Sequence, residues 1–316
     1  MNLLDKDLVR GALYGHAIGD ALGLGAEFMS REEVRRQYPN GLRCYGDILP
    51  SALRNAWQRG EWTDDTAQML CILDSLLKKN EVDISDIAAG FYDWACMDGR
   101  GMGRLTSDIL FSASFLEKPQ EAARISWEKS GGKAAPNGAL MRTSVLGIWD
   151  YADTEKVVAN TEQVCTITHA DPRCIASCVA MTLTINHLVL GFNNLANVLT
   201  EITPAAAVYD KGVGDYLHMS FDQSLESLRL DEASSIGYTY KTLSAGFWAL
   251  KHALSFEDGL YAILCEGGDA DTNGAVAGAL LGARFGFSSI PEHLVDGLVH
   301  KKELEQRIGN LLSVLG

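Results

Sequence analysis

Two stretches of the chain concentrate carboxylates and hydroxyls. They are Trp62-Thr63-Asp64-Asp65-Thr66 and Gly267-Gly268-Asp269-Ala270-Asp271-Thr272-Asn273. Both offer oxygen ligands, with no His or Cys inside either cluster. That donor set suits hard cations, Mg²⁺ first and Mn²⁺ as well. If the stretches meet in the fold, Asp64, Asp65, Asp269 and Asp271 repel one another unless cations lie between them, and two divalent ions would balance their charges. Asp and Thr are also favoured at helix N-termini, where a side-chain oxygen accepts an orphan N–H and the helix dipole favours negative charge. On the residues alone, metal binding and capping stand as alternatives.

Each stretch precedes a helical pattern. After the first, Met69, Ile72, Leu73, Leu76 and Leu77 recur with the spacing of one buried helix face. After the second, Gly274, Gly278 and Gly282 recur every fourth residue beside Ala275, Ala279 and Ala283. Such a stripe lets another element approach closely. A first helix over residues 5–24 carries Gly15, Gly19 and Gly23 at the same spacing. Glycine inside a helix costs about 1 kcal/mol relative to alanine, so the repetition predicts close packing. Asp20 on that helix reads as a structural acid that binds a neighbouring backbone or side chain, and Glu27 lies just beyond the helix end.

Further helices are predicted at 31–38, 65–79, 84–94, 105–116, 119–129, 154–167, 173–190, 194–200, 204–218, 222–229, 240–252, 256–265, 273–286 and 301–314, with Pro204 and Pro291 at helix starts or turns. No short run alternates as a strand bounded by turn signals. The expectation is an all-α chain forming one domain over residues 1–316. If the two acidic stretches share a site, the first and last helical segments must pack together.

The formal net charge of −14 argues against extended nucleic acid or an anionic membrane as partner. No run is long and apolar enough to span a bilayer, and the first residues lack signal-peptide architecture. The seven Cys include no CxxC pair, most lie in apolar helical context, and a reducing cytoplasm fits them as buried thiols. The glycine-rich Asp98–Gly103 stretch follows no strand pattern, which makes it a poor dinucleotide fingerprint and a better flexible loop beside the site.

The acidic motifs, with Gly15 to Phe28 (GHAIGDALGLGAEF), Asn137 to Arg142 (NGALMR) and Thr168 to Pro172 (THADP), resemble the ADP-ribosylglycohydrolase family in order and content. The likeness runs from about residue 8 to the C-terminus. It implies a compact orthogonal multi-helix fold and a Mg²⁺-dependent hydrolase that releases ADP-ribose from a modified protein or small molecule. Two divalent ions, roughly 3.5–4 Å apart in such sites, would hold the distal ribose diol and polarise a water. The transition state would have oxocarbenium character.

Carried over by position, the metal ligands are Thr63, Asp64, Asp65, Asp269, Asp271 and Thr272. Glu27, Asp64 and Asp65 are candidates for the base that activates water. Asn137, Gly138 and Met141 match a loop that contacts ADP-ribose, whose backbone N–H groups can bind pyrophosphate. His169 matches a position beside the site, as a ligand contact or as a hydrogen-bonded structural His. Arg142 either stabilises the loop or meets phosphate. Tyr238 and Tyr240 stack on adenine or simply pack, and Asp98 is a further acid to place.

One stretch departs from the family pattern. Where arginine-specific members carry Asp-x-Gly-Asn, this chain has Gly101-Met102-Gly103-Arg104. Arginine specificity is therefore open. Two other functions stand beside the leading one. A catalytically silent ADP-ribose-binding homologue would be marked by a lost ligand, and all the ligand positions are filled here. A hydrolase of a free ADP-ribosyl or ribosyl compound, or of a single modified base, needs the same residues.

Overall fold

Asp5 starts the first helix by accepting the backbone N–H groups of Asp7 and Leu8. The computed structural model describes residues 4–316, and among them the chain is helical, with no named strand and one isolated bridge between Pro136 and Tyr238. The helices are α1 (Lys6–Gly23), α2 (Arg31–Gln37), α3 (Asp64–Lys79), α4 (Ile84–Met97), α5 (Arg104–Leu110), α6 (Pro119–Lys129), α7 (Thr154–Cys165) and α8 (Pro172–Val189). They continue as α9 (Leu195–Ala207), α10 (Val213–Asp222), α11 (Thr239–His252), α12 (Phe256–Leu264), α13 (Ala270–Phe285), α14 (Glu292–Asp296) and α15 (Lys301–Leu315).

The central contact is between α1 and α13, two buried helices that run antiparallel. Gly11 faces Gly282, Gly15 faces Gly278, Gly19 faces Gly274, and Gly23 faces Ala270. A Cβ added at Gly11, Gly15 or Gly19 would collide with the carbonyl oxygen of the opposite glycine, and the reverse holds for Gly274, Gly278 and Gly282. The small-residue stripes in the sequence are therefore two halves of one backbone-to-backbone interface. Its register brings the C-terminal end of α1 beside the N-terminal end of α13.

Around this pair the apolar faces close. On α3, Met69, Ile72, Leu73 and Leu76 are fully buried, and α3 ends at Asn80, which takes the left-handed conformation that terminates helices. On α8, residues 174–189 are all buried, a run as long as that of residues 11–26 around α1. A buried helix of this kind is apolar on every side, and α8 accommodates Thr182, Thr184 and Asn186 by bonding each of them internally.

Helix limits differ from expectation mainly around Pro204. Leu195–Ala207 form one helix with Pro204 inside it, and the next runs over Val213–Asp222, in place of the helices expected at 194–200 and 204–218. Proline removes the N–H that would reach the carbonyl of Thr200. Both residues are exposed, so water can satisfy that carbonyl and the helix continues. The helix expected at 222–229 is reduced to a 3-10 turn over Leu225–Leu228, and α5 stops at Leu110 instead of 116. Pro291 does precede a helix, α14. All seven Cys are free thiols; Cys165, Cys174 and Cys178 are buried, while Cys96 is exposed.

Two glycine substitutions separate packing from propensity. Gly278→Ala should lower the stability to urea by about 3 kcal/mol or more, because two backbones must part. Gly309→Ala on exposed α15, where an added Cβ meets nothing within 4 Å, should raise it by up to about 1 kcal/mol. Equal effects of the two would contradict the interface.

Candidate active site

Three helix ends converge where α1 finishes. The N-terminus of α3 is held by Asp20, on α1. Its Oδ1 accepts from the backbone N–H of Thr63 (2.9 Å) and the Thr63 hydroxyl (2.8 Å). Its Oδ2 accepts from the N–H of Thr66 (2.9 Å) and the Thr66 hydroxyl (2.6 Å). A carboxylate from another helix thus does the capping, and Thr63, at the N-cap position, makes no side-chain capping bond. Asp64 and Asp65 are left free of that duty. At α13 the N-cap residue Asp269 likewise makes no capping bond. Its Oδ2 instead accepts from Asn137 Nδ2 at 2.8 Å, an amide that also donates to Thr242 Oγ1 at 2.9 Å.

The turn before α13 requires its two glycines. Gly267 and Gly268 have φ of +67° and +70°, and an added Cβ would strike the carbonyl oxygens of Met29 and Leu230. Gly268 exchanges backbone bonds with Phe28 and Met29, at 2.6 and 2.8 Å. That clasp fixes the segment just after α1 and with it Glu27. Ligand oxygens of Glu27, Asp269 and Asp271 lie within 4.8 Å of one another.

These residues line a cavity of about 160 Å³. One wall is Glu27, Asp64, Asp65, Asp269, Asp271 and Thr272; others are Pro136 to Gly138 with Met141 and His169, and Gly101 with Gly103 to Thr106. Of Glu27, Asn137, Gly138, Met141, His169 and the six residues carried over as metal ligands, all but Thr63 are at the cavity surface. Thr63 is buried beneath it, with its hydroxyl 3.3 Å from Asp65 Oδ2. A larger cavity of about 590 Å³ between α3, α4 and α15 contains none of them, so chemistry and not size distinguishes the site.

The electrostatics are those of crowded acids. Burial first, then Asp269, Asp64 and Asp20, push the Glu27 carboxyl up to about 8. Burial first, then Asp20, raise Asp64 to about 8. Asp65 and Asp271 are pushed well above the carboxylate range by burial and their acidic neighbours. Asp65 Oδ1 is buried without a hydrogen-bond partner. An orphaned carboxylate oxygen among like charges is the environment a cation relieves, and the donor set fits a hard divalent ion. The geometry groups Glu27 with Asp269 and Asp271, a nearness that the family resemblance implied and the residues alone did not.

Other candidates are placed differently. Arg142 is fully buried and does not line the cavity; it donates to Gln68 Oε1 and Thr168 Oγ1, both at 2.6 Å, and lies 4.1 Å over the Phe91 ring. Its role as support for the loop is the one the geometry favours. Tyr240 is buried and donates to Asp210 at 2.6 Å, within a packed group with Tyr216 and Tyr238. Asp98 pairs with Arg100 and faces the larger cavity. Arg100 ties the glycine loop to Glu61 at 2.7 Å and to the carbonyl of Ala56. The loop crosses the site at Gly101, where φ is +83° and an added Cβ would come within 2.5 Å of Asp64 Oδ1.

With that geometry in hand, comparison with known proteins is direct. The family model of the ADP-ribosylglycohydrolases matches residues 1–315. The chain belongs to the ADP-ribosylglycohydrolase family. It is therefore a glycosidic-bond hydrolase directed at ADP-ribosyl groups. It is 28% identical to ADP-ribosylarginine hydrolase Tri1 of Serratia proteamaculans, covering 98% of this chain and 79% of that protein. It is 27% identical to the ADP-ribosyl-[dinitrogen reductase] glycohydrolase of Rhodospirillum rubrum, covering 98% and 97%. A solved structure titled as an ADP-ribosylglycohydrolase-related protein complex superposes with a TM-score of 0.69 at 24% identity, over 98% of this chain and 99% of that one, a likeness of fold.

Gln68 and Thr242, which support site residues, and Thr106, which lines the cavity, were missed by the sequence reading. Gln68 Nε2 donates to Asp64 Oδ2 at 3.2 Å, and its position four residues after Asp64 on α3 was the available signal. Thr242 lies far along the chain from its partner Asn137 and carried none.

The raised carboxyls predict a pH dependence. A group whose pKa is higher in the folded state contributes stability that is present at low pH and lost as pH rises through the folded value. In chelator, thermal stability should fall from about pH 5 to about pH 9. A divalent cation should restore it most at the alkaline end. A chelator profile that rises with pH would contradict the crowding.

Proposed function

We propose that the protein is a divalent-cation-dependent hydrolase that removes ADP-ribose from a modified acceptor, with the chain acting as one domain in a reducing compartment such as the cytoplasm. The observation that carries this reading is the convergence of Asp64, Asp65, Asp269 and Asp271 at two helix N-termini, where Asp20 caps α3 in place of Asp64 and Asp65, Asp269 makes no capping bond, and Asp271 gives one oxygen to the N–H of Thr272 at 2.9 Å and keeps the other. No helix among the described residues is long and apolar enough to cross a membrane.

Thr63, Asp64, Asp65, Asp269, Asp271 and Thr272 would hold two Mg²⁺ ions, or Mn²⁺, which when bound supply attachment for the ribose diol and acidify a water. The protein's own groups do the rest. A cavity of about 160 Å³ has room for one sugar ring and its ions, and we assign the diphosphate to the wall of Asn137, Gly138 and Met141. Glu27, whose carboxylate lies within 4.8 Å of those of Asp269 and Asp271, is the base we assign to the attacking water, ahead of Asp64 and Asp65. Its carboxyl is raised partly by neighbouring carboxylates, so neutralising them brings it nearer to neutrality, where a general base is most effective. Asn137 holds Asp269 in place by its amide.

The acceptor is selected by the wall from Gly101 to Thr106. Asp98 is engaged by Arg100 and cannot serve as the missing guanidinium-binding acid, while Arg104 presents a side chain 95% exposed. That wall does not resemble a receptor for arginine. The relatives named for arginine hydrolysis make the linkage a matter for direct assay.

Release of free ADP-ribose from arginine- and serine-linked peptides, in Mg²⁺ and in EDTA, tests the proposal and reads the linkage. Wild type should release it only with the metal, and Asp271→Ala should not. Glu27→Gln should lower kcat by about 100-fold or more while leaving ADP-ribose affinity within a few fold. Metal-independent release, or an Asp271→Ala variant as active as wild type, would refute the site.

A further inference from the structure

Arg142 is the largest fully buried side chain among the described residues and has no carboxylate partner among them. A buried guanidinium is costly to keep. It is held over the Phe91 ring and spends its two terminal nitrogens on two neutral groups, Gln68 and Thr168, each of which continues to the cavity. Guanidinium only donates, so each bond has a direction that is not open to choice.

The first arm runs to Asp64. Because Arg142 Nη1 donates at 2.6 Å, the atom of Gln68 facing it must be Oε1. The amide is thereby turned so that its NH₂ group faces Asp64 Oδ2 at 3.2 Å. Gln68 can only donate to that carboxylate. The second arm runs to His169. Arg142 Nη2 donates to Thr168 Oγ1 at 2.6 Å, which uses a lone pair of the hydroxyl. The hydroxyl proton then goes to its other recorded partner, His169 Nδ1, at 2.7 Å. Nδ1 is an acceptor, and a neutral ring with an accepting Nδ1 carries its proton on Nε2. His169 is 2% exposed, and Nε2 has no partner in the protein. It lies against Gly138, where an added Cβ would come within 3.0 Å of it, at the cavity wall.

We infer that Arg142 is a positioning residue that sets the hydrogen-bonding polarity of two walls of the cavity: through Thr168 it holds His169 as the Nε2–H tautomer, a donor awaiting an oxygen of the ligand, and through Gln68 it directs an amide donor onto Asp64. The inference names what His169 offers to the substrate of the function proposed above, and its assignment of the ligand rests on that reading; the tautomer does not. Burial, and then the Arg142 charge, lower the His169 imidazolium to about 3, which keeps the ring neutral and in keeping with this arrangement.

Nitrogen NMR of protein labelled at histidine reads the tautomer directly, with the His169 signals identified by their loss in His169→Asn. Wild type should show a protonated Nε2 and a bare Nδ1. Thr168→Val removes the proton source while keeping the shape, so His169 should redistribute toward the Nδ1–H form and the affinity for free ADP-ribose should fall about tenfold, the loss of one hydrogen bond to an anionic ligand. Thr168→Ser should restore both. Affinity for Mn²⁺, read by its electron spin resonance, should stay unchanged in Thr168→Val and weaken in Gln68→Ala, because the arms are separate. A wild-type His169 protonated on Nδ1 would overturn the inference, as would Thr168→Val with wild-type tautomer and wild-type ADP-ribose affinity. If wild type binds no ADP-ribose, the proposed function fails, and the wild-type spectrum still decides the tautomer.

Discussion

The structure depends on two helix backbones touching. Between α1 and α13 there is no room for a methyl group over several turns, because glycine meets glycine from Gly11–Gly282 to Gly19–Gly274. Ordinary helix pairs settle at axial distances of about 8–10 Å with side chains interleaved, and can slide by a rotamer change. A contact made of main chain has no such compliance. It fixes how far the end of α1 lies from the start of α13, and through Asp20 it fixes the start of α3 as well. The helix-propensity cost of the glycines is the counterpart of that rigidity.

Crowded carboxylates oppose folding, and the helix ends offset part of the opposition. Both acidic clusters lie at N-termini, where the helix dipole carries partial positive charge. The division of labour around Asp20 matters more. Its four hydrogen bonds satisfy the N-terminus of α3, so that Asp64 and Asp65 retain unfilled lone pairs. Had they capped their own helix, those lone pairs would be spent on N–H groups and unavailable to a cation. The protein thus carries an unfavourable charge arrangement at the point where its chemistry is done, a frequent cost of function.

The acidic motifs, the small-residue stripes, the helical class and the structural character of Asp20 were legible because each is a local pattern with a local cause. The continuous helix through Pro204 was not, because propensity at a proline gives way where the freed carbonyl meets solvent. Glu27 read as a neighbour of the site only by resemblance, since one carboxylate after a helix has no signature of its own. Asp98 looked like a candidate acid until its pairing with Arg100 placed it on another cavity.

Sequence alone determined which residues could bind a hard cation and which helices could approach without side chains between them, since residue type and a spacing of four carry both facts. It did not determine which acid caps, which acid is left free, or which side chains sit behind them. Those follow from contacts between residues as distant as Asn137 and Asp269, or Gln68 and Arg142, whose partners are chosen only when the helices have packed. Hydrogen-bond polarity is the extreme case. In an unfolded chain the Thr168 hydroxyl turns freely and the neutral His169 ring exchanges between its two tautomers with Nε2–H in excess; burial beside a guanidinium leaves one arrangement for both.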